Sequence, residues 1–201
     1  IGFFDPQKEA FIEYEISRLL YQLNNPEMVN LTVVSDLQIT GGFDPLSGQY
    51  TTAFALYQQL TEMFEVTVIN SSEQTIPEKT QVLLLWHPQN LNEALLLSID
   101  QYLMNSGKAL ALLDPHYESG MAATSGPNPV QNANASSLPL LASYGINFSS
   151  SNIVLDALAG LEVLNPRGGT IRHLGFLGLN SELINAKDIT TGDLDSINGA
   201  S

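Results

Sequence analysis

The stretch "VNLTVVSDLQITGGFDP", residues 29–45, decides the fold that this sequence predicts. Four of its first six residues are β-branched, which is typical of a strand buried within a sheet. The run ends at Ser35-Asp36, and the pair Gly41-Gly42 follows a few residues later. A loop after the first strand of an α/β sheet is a common binding place for a nucleotide phosphate. The first question is therefore whether this loop binds a phosphate or only turns the chain.

The loop matches neither of the glycine-rich phosphate fingerprints. Dinucleotide sites need G-x-G-x-x-G and nucleoside triphosphate sites need G-x-x-x-x-G-K-[ST], whereas this loop has no lysine and carries Asp36 and Asp44. We therefore expect Gly41 and Gly42 to provide positive φ angles in a long turn.

Helix and strand patterns alternate along the first half of the chain. The helical segments, recognised by apolar residues at a spacing near 3.6, are 53–64 and 92–107. The strand segments, which are short apolar runs, are 29–36, 65–69, 81–86 and 108–114. Thr51 or Thr52 is expected to cap the first helix, and Gly107 to end the second. This order predicts an open, mostly parallel α/β sheet with helices on both faces.

The flanking segments complete a single α/β domain over 1–201, with a leading helix in 1–25 and a sheet core in 26–201. The leading helix spans 7–24 and ends before Pro26, and we expect its apolar face to pack in the core. The second half is less regular. Its expected elements are a surface loop over 116–137, a helix over 138–145, a fifth strand over 152–156, an apolar run over 174–179, and a turn into a helix over 187–197.

Composition excludes several classes of protein. Seven basic residues against 21 acidic ones give a net charge of −14, which disfavours nucleic acid and anionic lipid as partners. Without cysteine, the chain has no disulfide, thiolate metal site or cysteine nucleophile. No apolar stretch approaches the ~20 residues of a membrane-spanning helix. Both ends look like cuts in a longer chain, so any membrane contact is expected only through segments outside these residues.

The candidate ligand-binding cleft lies where the predicted strands end, because ligands of open α/β sheets bind outside the carboxyl ends of the strands. Its residues are Ser35, Asp36, Gly41, Gly42, His87, Asp114 and His116.

Nucleophilic hydrolysis is one interpretation of this cleft, but no G-x-S-x-G elbow is present. A metal site built from Asp36, His87, Asp114 and His116 is another, although no local spacing ties two of these ligands together. In a third interpretation, His87 and Asp114 have only a structural role at the ends of their strands, where the proline after each prevents the strand from continuing.

A binding surface without chemistry is the fourth interpretation. It would use the leading helix around Tyr14, Ile16, Leu19 and Tyr21, or the polar loop 120–137. An exposed apolar face on that helix would indicate a dimerisation module. We expect no catalytic residue, no metal and no cofactor.

Five ordered motifs resemble the auxiliary component of gliding-motility-type ABC transport systems, and the resemblance runs from Glu9 onwards. The motifs are "EYEISRLLYQLNNPE", "GGFDP", "IPEKTQVLLLWHPQNLNEALLLSIDQYLMNSGKALALLDPHYE", "LPLLASYGINF" and "RHLGFLGLNSELINAKDITTGDLDSI". Trp86 departs from the small aliphatic residue that relatives often have, and Asn105-Ser106-Gly107 replaces a Gly-Gly turn.

The resemblance implies a flavodoxin-like fold related to class I glutamine amidotransferases, without their cysteine elbow. It also implies a periplasmic domain held at the bacterial inner membrane by helices outside this chain, with the permease and ATPase subunits as partners. The leading hypothesis is thus a non-catalytic auxiliary domain that binds a ligand or a partner protein. The alternative is a glycan- or small-molecule-binding protein, or a hydrolase, on an amidotransferase-like scaffold.

Overall fold

The computed structural model describes residues 12–44, 48–115, 135–149, 152–165 and 168–200. The chain divides into two compact units, Ile1–Ala111 and Leu112–Ser201. His116, most of the predicted loop 116–137 and the start of the predicted leading helix lie outside the described residues.

The first unit is built around a four-stranded sheet. Its elements are α1 (Ile12–Asn24), β1 (Val29–Val34), β2 (Gly42–Asp44), β3 (Gln49–Thr51), α2 (Ala55–Met63), β4 (Phe64–Ile69), β5 (Val82–Trp86), α3 (Glu93–Met104) and β6 (Lys108–Leu112). The sheet order is β4-β1-β5-β6, and β1 pairs in parallel with both β4 and β5. The prediction of an open, mostly parallel α/β sheet is therefore confirmed.

The core of this unit forms around β1, the second strand of the sheet. Val33 and Val34 are fully buried, as are Leu95 and Ile99 of α3. Thr32 is buried too, and its hydroxyl lies 2.7 Å from the Thr80 hydroxyl. Because the Thr80 hydroxyl donates to the Pro77 carbonyl, Thr32 must be the donor to Thr80. The buried polar side chain of Thr32 is thereby satisfied.

The helix ends differ in part from the sequence expectation. Phe54 stands at the N-cap of α2 and offers no side-chain hydrogen bond, so the expected cap by Thr51 or Thr52 is wrong. At the end of α3, Ser106 adopts the left-handed conformation with φ 67°, not Gly107. Gly107 is required for another reason, because a Cβ there would lie 2.4 Å from the ring of Tyr102.

Helix α1 does not bury its apolar face, which corrects the expectation that this face packs in the core. Ile16, Leu19, Leu20 and Leu23 are all exposed. The polar side of the helix faces the rest of the unit instead: Arg18 pairs with Glu62 at 3.1 Å.

The second unit contains α4 (Leu140–Ser143), β7 (Gly160–Leu164), β8 (Thr170–Asn180) and β9 (Ser196–Ala200). The three strands form an antiparallel sheet in the order β7-β8-β9. The strand predicted over 152–156 is wrong, because these residues form no strand and the next strand begins at Gly160. The helix predicted over 187–197 is wrong as well, since turns lead there into β9.

The turn before β7 is organised by Asp156. Its Oδ1 accepts hydrogen bonds from the amides of Leu158 and Ala159, at 2.7 Å and 2.9 Å. These bonds favour the charged carboxylate, led by the one from Ala159, and hold the pKa of Asp156 below its ordinary value of 3.8. Because the pKa is lowered on folding, the stabilisation is present above pH 3.8 and is lost as pH falls through the folded-state value.

We expect the amide resonances of Leu158 and Ala159 to titrate together, with a midpoint below 3.8. Nuclear magnetic resonance during an acid titration measures this. Asp156→Asn keeps an acceptor oxygen, so it should hold the turn and abolish the titration, whereas Asp156→Ala should lose both. A midpoint at or above 3.8 for the wild type would contradict the assignment.

Candidate functional site

Ser35 and Asp36 follow β1 and bind the end of the neighbouring strand. The Ser35 amide donates to the Ile69 carbonyl at 3.0 Å, and the Ser71 amide donates to Asp36 Oδ1 at 3.0 Å. Ser35 Oγ accepts from the Leu37 amide at 3.2 Å. Both predicted residues therefore lie at the carboxyl edge of the sheet, where they fix the loop after β1 to the segment after β4.

His87 follows β5 directly and is buried, with φ 51°. A left-handed backbone is unusual for a residue other than glycine, and such strained positions cluster at functional sites. The strand before it ends at Trp86, whose ring meets that of Phe54 edge to face, with 5.8 Å between the centroids. This packing holds the end of β5 against the segment that enters α2.

The ends of β1 and β5 form the topological switch point of the sheet. In chain order the four sheet strands are β1, β4, β5 and β6, so their spatial order reads 2-1-3-4. From β1 the chain passes to one side to form β4 and then to the other side to form β5. A crevice forms at such a point in flavodoxin-like sheets. Ser35, Asp36 and His87 lie on these two strand ends.

Gly41 and Gly42 open a hairpin, formed by β2 and β3, that emerges from the loop after β1. Gly41 has φ 68°, and a Cβ there would lie 2.6 Å from the Ala53 nitrogen and 2.7 Å from the Thr51 oxygen. Only glycine permits both the angle and the close approach of the two backbones. The expectation of positive φ at both glycines is confirmed, since Gly42 has φ 125°.

The hairpin carries two exposed aromatic rings that the sequence reading missed. Phe43 and Tyr50 are cross-strand partners, 52% and 83% exposed, with ring centroids 5.4 Å apart. The signal was present in "GFDPLSGQYT", in which aromatic residues flank a short segment with proline and glycine. Aromatic side chains are the commonest anchors of protein interfaces.

Asp114 belongs to the second unit and has a structural contact there. Its amide donates to Ser136 Oγ and its carbonyl accepts from the Ser136 amide, both at 2.8 Å. His116 lies outside the described residues. Ser35, Asp36 and His87 thus follow strands that end at one edge of the first unit, and Gly41 and Gly42 belong to the loop that leaves this edge.

Within the described residues, no three histidine or acidic side chains come together to hold a metal ion. A cavity of about 480 Å³ lies at the opposite edge of the first unit, at the amino ends of β1 and β4, between Tyr21, Met28, Met63 and Phe64. No helix in the described part of the chain is long and apolar enough to span a bilayer.

The sheet and its switch-point loop define an α/β domain with the flavodoxin-like strand order. Residues 30–201 match the family described as "ABC-type uncharacterized transport system", so the chain belongs to that family. The match begins within β1 and leaves α1 outside it. No curated protein and no solved structure matches the chain. The family that the sequence motifs resemble is thereby confirmed.

Gly41→Ala and Gly48→Ala separate steric crowding from backbone strain at the hairpin. Both glycines have φ 68°, but only a Cβ at Gly41 meets backbone atoms. Each substitution costs ~1–2 kcal/mol for the left-handed angle, and we expect Gly41→Ala to cost about 1–3 kcal/mol more. Urea unfolding followed by the fluorescence of Trp86, the single tryptophan, measures the difference. Equal destabilisation by the two variants would contradict this account.

Proposed function

We propose that this chain is a non-catalytic, extracytoplasmic domain of its ABC-type transport system and that it acts by binding a partner protein. The observation that carries the proposal is the family match over residues 30–201. The match includes the whole second unit, and it includes the whole sheet of the first unit apart from Val29. In such a system separate ATPase and permease subunits hydrolyse ATP and move the cargo. The extracytoplasmic location rests on the resemblance of the motifs, and it belongs to the proposal.

The contacts of Ser35 and Asp36 favour binding over catalysis. A nucleophilic serine needs a general base within hydrogen-bond reach of its hydroxyl. Ser35 Oγ instead accepts the amide of Leu37, two residues further along its own loop. The Asp36 carboxylate is engaged by the Ser71 amide. These two polar side chains stabilise the loops at the carboxyl edge, so they support a rigid platform for contact.

The β2–β3 hairpin is the proposed contact surface. Ile39 is buried at its base, and the Phe54 amide donates to the Ile39 carbonyl at 2.9 Å. A fixed base and exposed Phe43 and Tyr50 rings present apolar area at low cost in conformational entropy. The net charge of −14 favours a neutral or basic partner surface.

A second candidate function is the binding of a small molecule or glycan at the switch point. The specific observation in its favour is His87, which is buried and left-handed at the end of β5. Strain at such a place is typical of ligand sites, and the flavodoxin-like order predicts a crevice there.

Purification of the tagged full-length protein from native membranes tests the proposal. We expect an ABC-type ATPase and permease to be recovered with the wild type. The double variant Phe43→Ser/Tyr50→Ser should recover severalfold less of both, since truncation of an interface anchor costs about 2 kcal/mol or more. Tyr144→Ser, at an exposed tyrosine of the second unit, is the matched control.

Recovery of the tagged protein alone would contradict the proposal and would favour ligand binding at His87. Equal recovery of the ATPase and permease with the hairpin variant and with the control would support association with the transport system. It would, however, overturn the proposal that the hairpin is the contact surface.

A further inference from the structure

Helix α1 is amphipathic, and its polar side faces the rest of the first unit. Arg18 donates to Glu62 at 3.1 Å, and Gln22 Nε2 donates to the Glu62 carbonyl at 2.9 Å, which binds α1 to the end of α2. With 3.6 residues in each turn, Arg18 points away from positions 16, 20 and 23, and Gln22 lies at the border between the polar side and Leu19. The apolar face is therefore directed away from the rest of the unit.

The apolar stripe of α1 is solvent-exposed from Ile16 to Leu23. Leu20 is 61% and Leu23 is 80% exposed, and Ile16 and Leu19 are exposed beside them. Single exposed apolar residues are common, whereas a contiguous apolar stripe marks an interaction surface. The contacts of α1 with α2 are polar and ionic, so the exposed apolar stripe is available to another molecule.

The spacing of the stripe indicates what kind of surface it fits. Ile12, Ile16, Leu19 and Leu23 follow one another at intervals of four, three and four residues. This is the a/d pattern of helices that pack side by side with knobs in holes. A helix is therefore the occupant that matches the stripe.

The charges beside the stripe select the partner helix. Glu13, which is exposed, occupies the e position beside the seam, whereas Glu15, at the g position, pairs with Arg18 towards the side that faces α2. Arg18 is the one basic residue of α1, and it pairs with Glu15 at 2.7 Å and with Glu62. Charged e and g positions determine partner choice. Two copies of α1 would bring acidic flanks together in molecules that each carry a charge of −14.

We propose that the α1 stripe is a docking site for a helix of another protein, with apolar residues at heptad spacing and Lys or Arg beside them. This surface is distinct from the β2–β3 hairpin and lies outside the residues that match the family. The proposal does not depend on the hairpin being a contact surface.

The test uses a labelled synthetic helix of three heptads with Leu at a and d and Lys at e and g. Its binding to the full chain is measured by fluorescence anisotropy at physiological salt. Two further peptides serve as controls, one with Glu in place of Lys and one with the Lys peptide composition scrambled. We expect the Lys peptide to bind at least tenfold more tightly than either control.

Leu23→Gln and Leu97→Gln form the matched pair of variants, because both leucines are exposed on helices, at 80% and 61%. Leu23→Gln should weaken binding of the Lys peptide about tenfold, as the loss of one buried leucine contact predicts, and Leu97→Gln should leave it unchanged. Equal binding of the Lys and scrambled peptides would overturn the proposal, and so would equal effects of the two variants. A dimer of the chain in sedimentation that Leu23→Gln dissociates would also overturn it, in favour of a second copy as the occupant.

Discussion

The parallel pairing of β1 with strands on both its sides is the interaction on which the first unit depends. β4 and β5 both align with β1 residue by residue, so the register of three strands is set by one. Val33 and Val34 are buried on this strand, and the buried Thr32 hydroxyl beside them donates to the Thr80 hydroxyl. Because the strands are parallel, their carboxyl ends meet at the same edge. The candidate site exists there as a consequence of that pairing.

The loop after β1 carries the β2–β3 hairpin, which is the proposed contact surface. Gly41 lets the backbone pass within contact distance of residues 51–53, and this close approach directs the β2–β3 hairpin outward. The result is a hairpin that presents two exposed aromatic rings. Membership of an ABC-type transport family gives this surface a context in which contact with other subunits is expected.

The sheet was predictable from the sequence because parallel strands covered on both faces are short, continuous apolar runs. All four such runs in the first half became strands. The same rule failed at 152–156, where Asp156 uses its carboxylate to hold a turn and no strand forms. The helix expected over 187–197 does not form, because the Asp188 side chain accepts the Thr190 amide and this local bond competes with helix formation. Periodicity also cannot tell which way an amphipathic helix faces, so the outward stripe of α1 was not foreseen.

The candidate site was predictable in position but not in its contacts. Strand ends identified Ser35, Asp36 and His87, since topology brings carboxyl ends together. Sequence could not show that Asp36 binds the Ser71 amide, because that contact comes from a loop distant along the chain. The bonds described for Asp114 are to Ser136 in the second unit, and its place in the cleft stays a prediction.

The central claim is that the β2–β3 hairpin contacts the permease or the ATPase of the transport system. Site-specific photo-crosslinking in native membranes tests this claim most directly. A photoreactive phenylalanine analogue would replace Tyr50 of the full-length protein, and the same analogue at Leu97, also exposed, would serve as the control. The account predicts an adduct with the permease or the ATPase from position 50 and none from position 97. No adduct from position 50, or the same adducts from both positions, would contradict it.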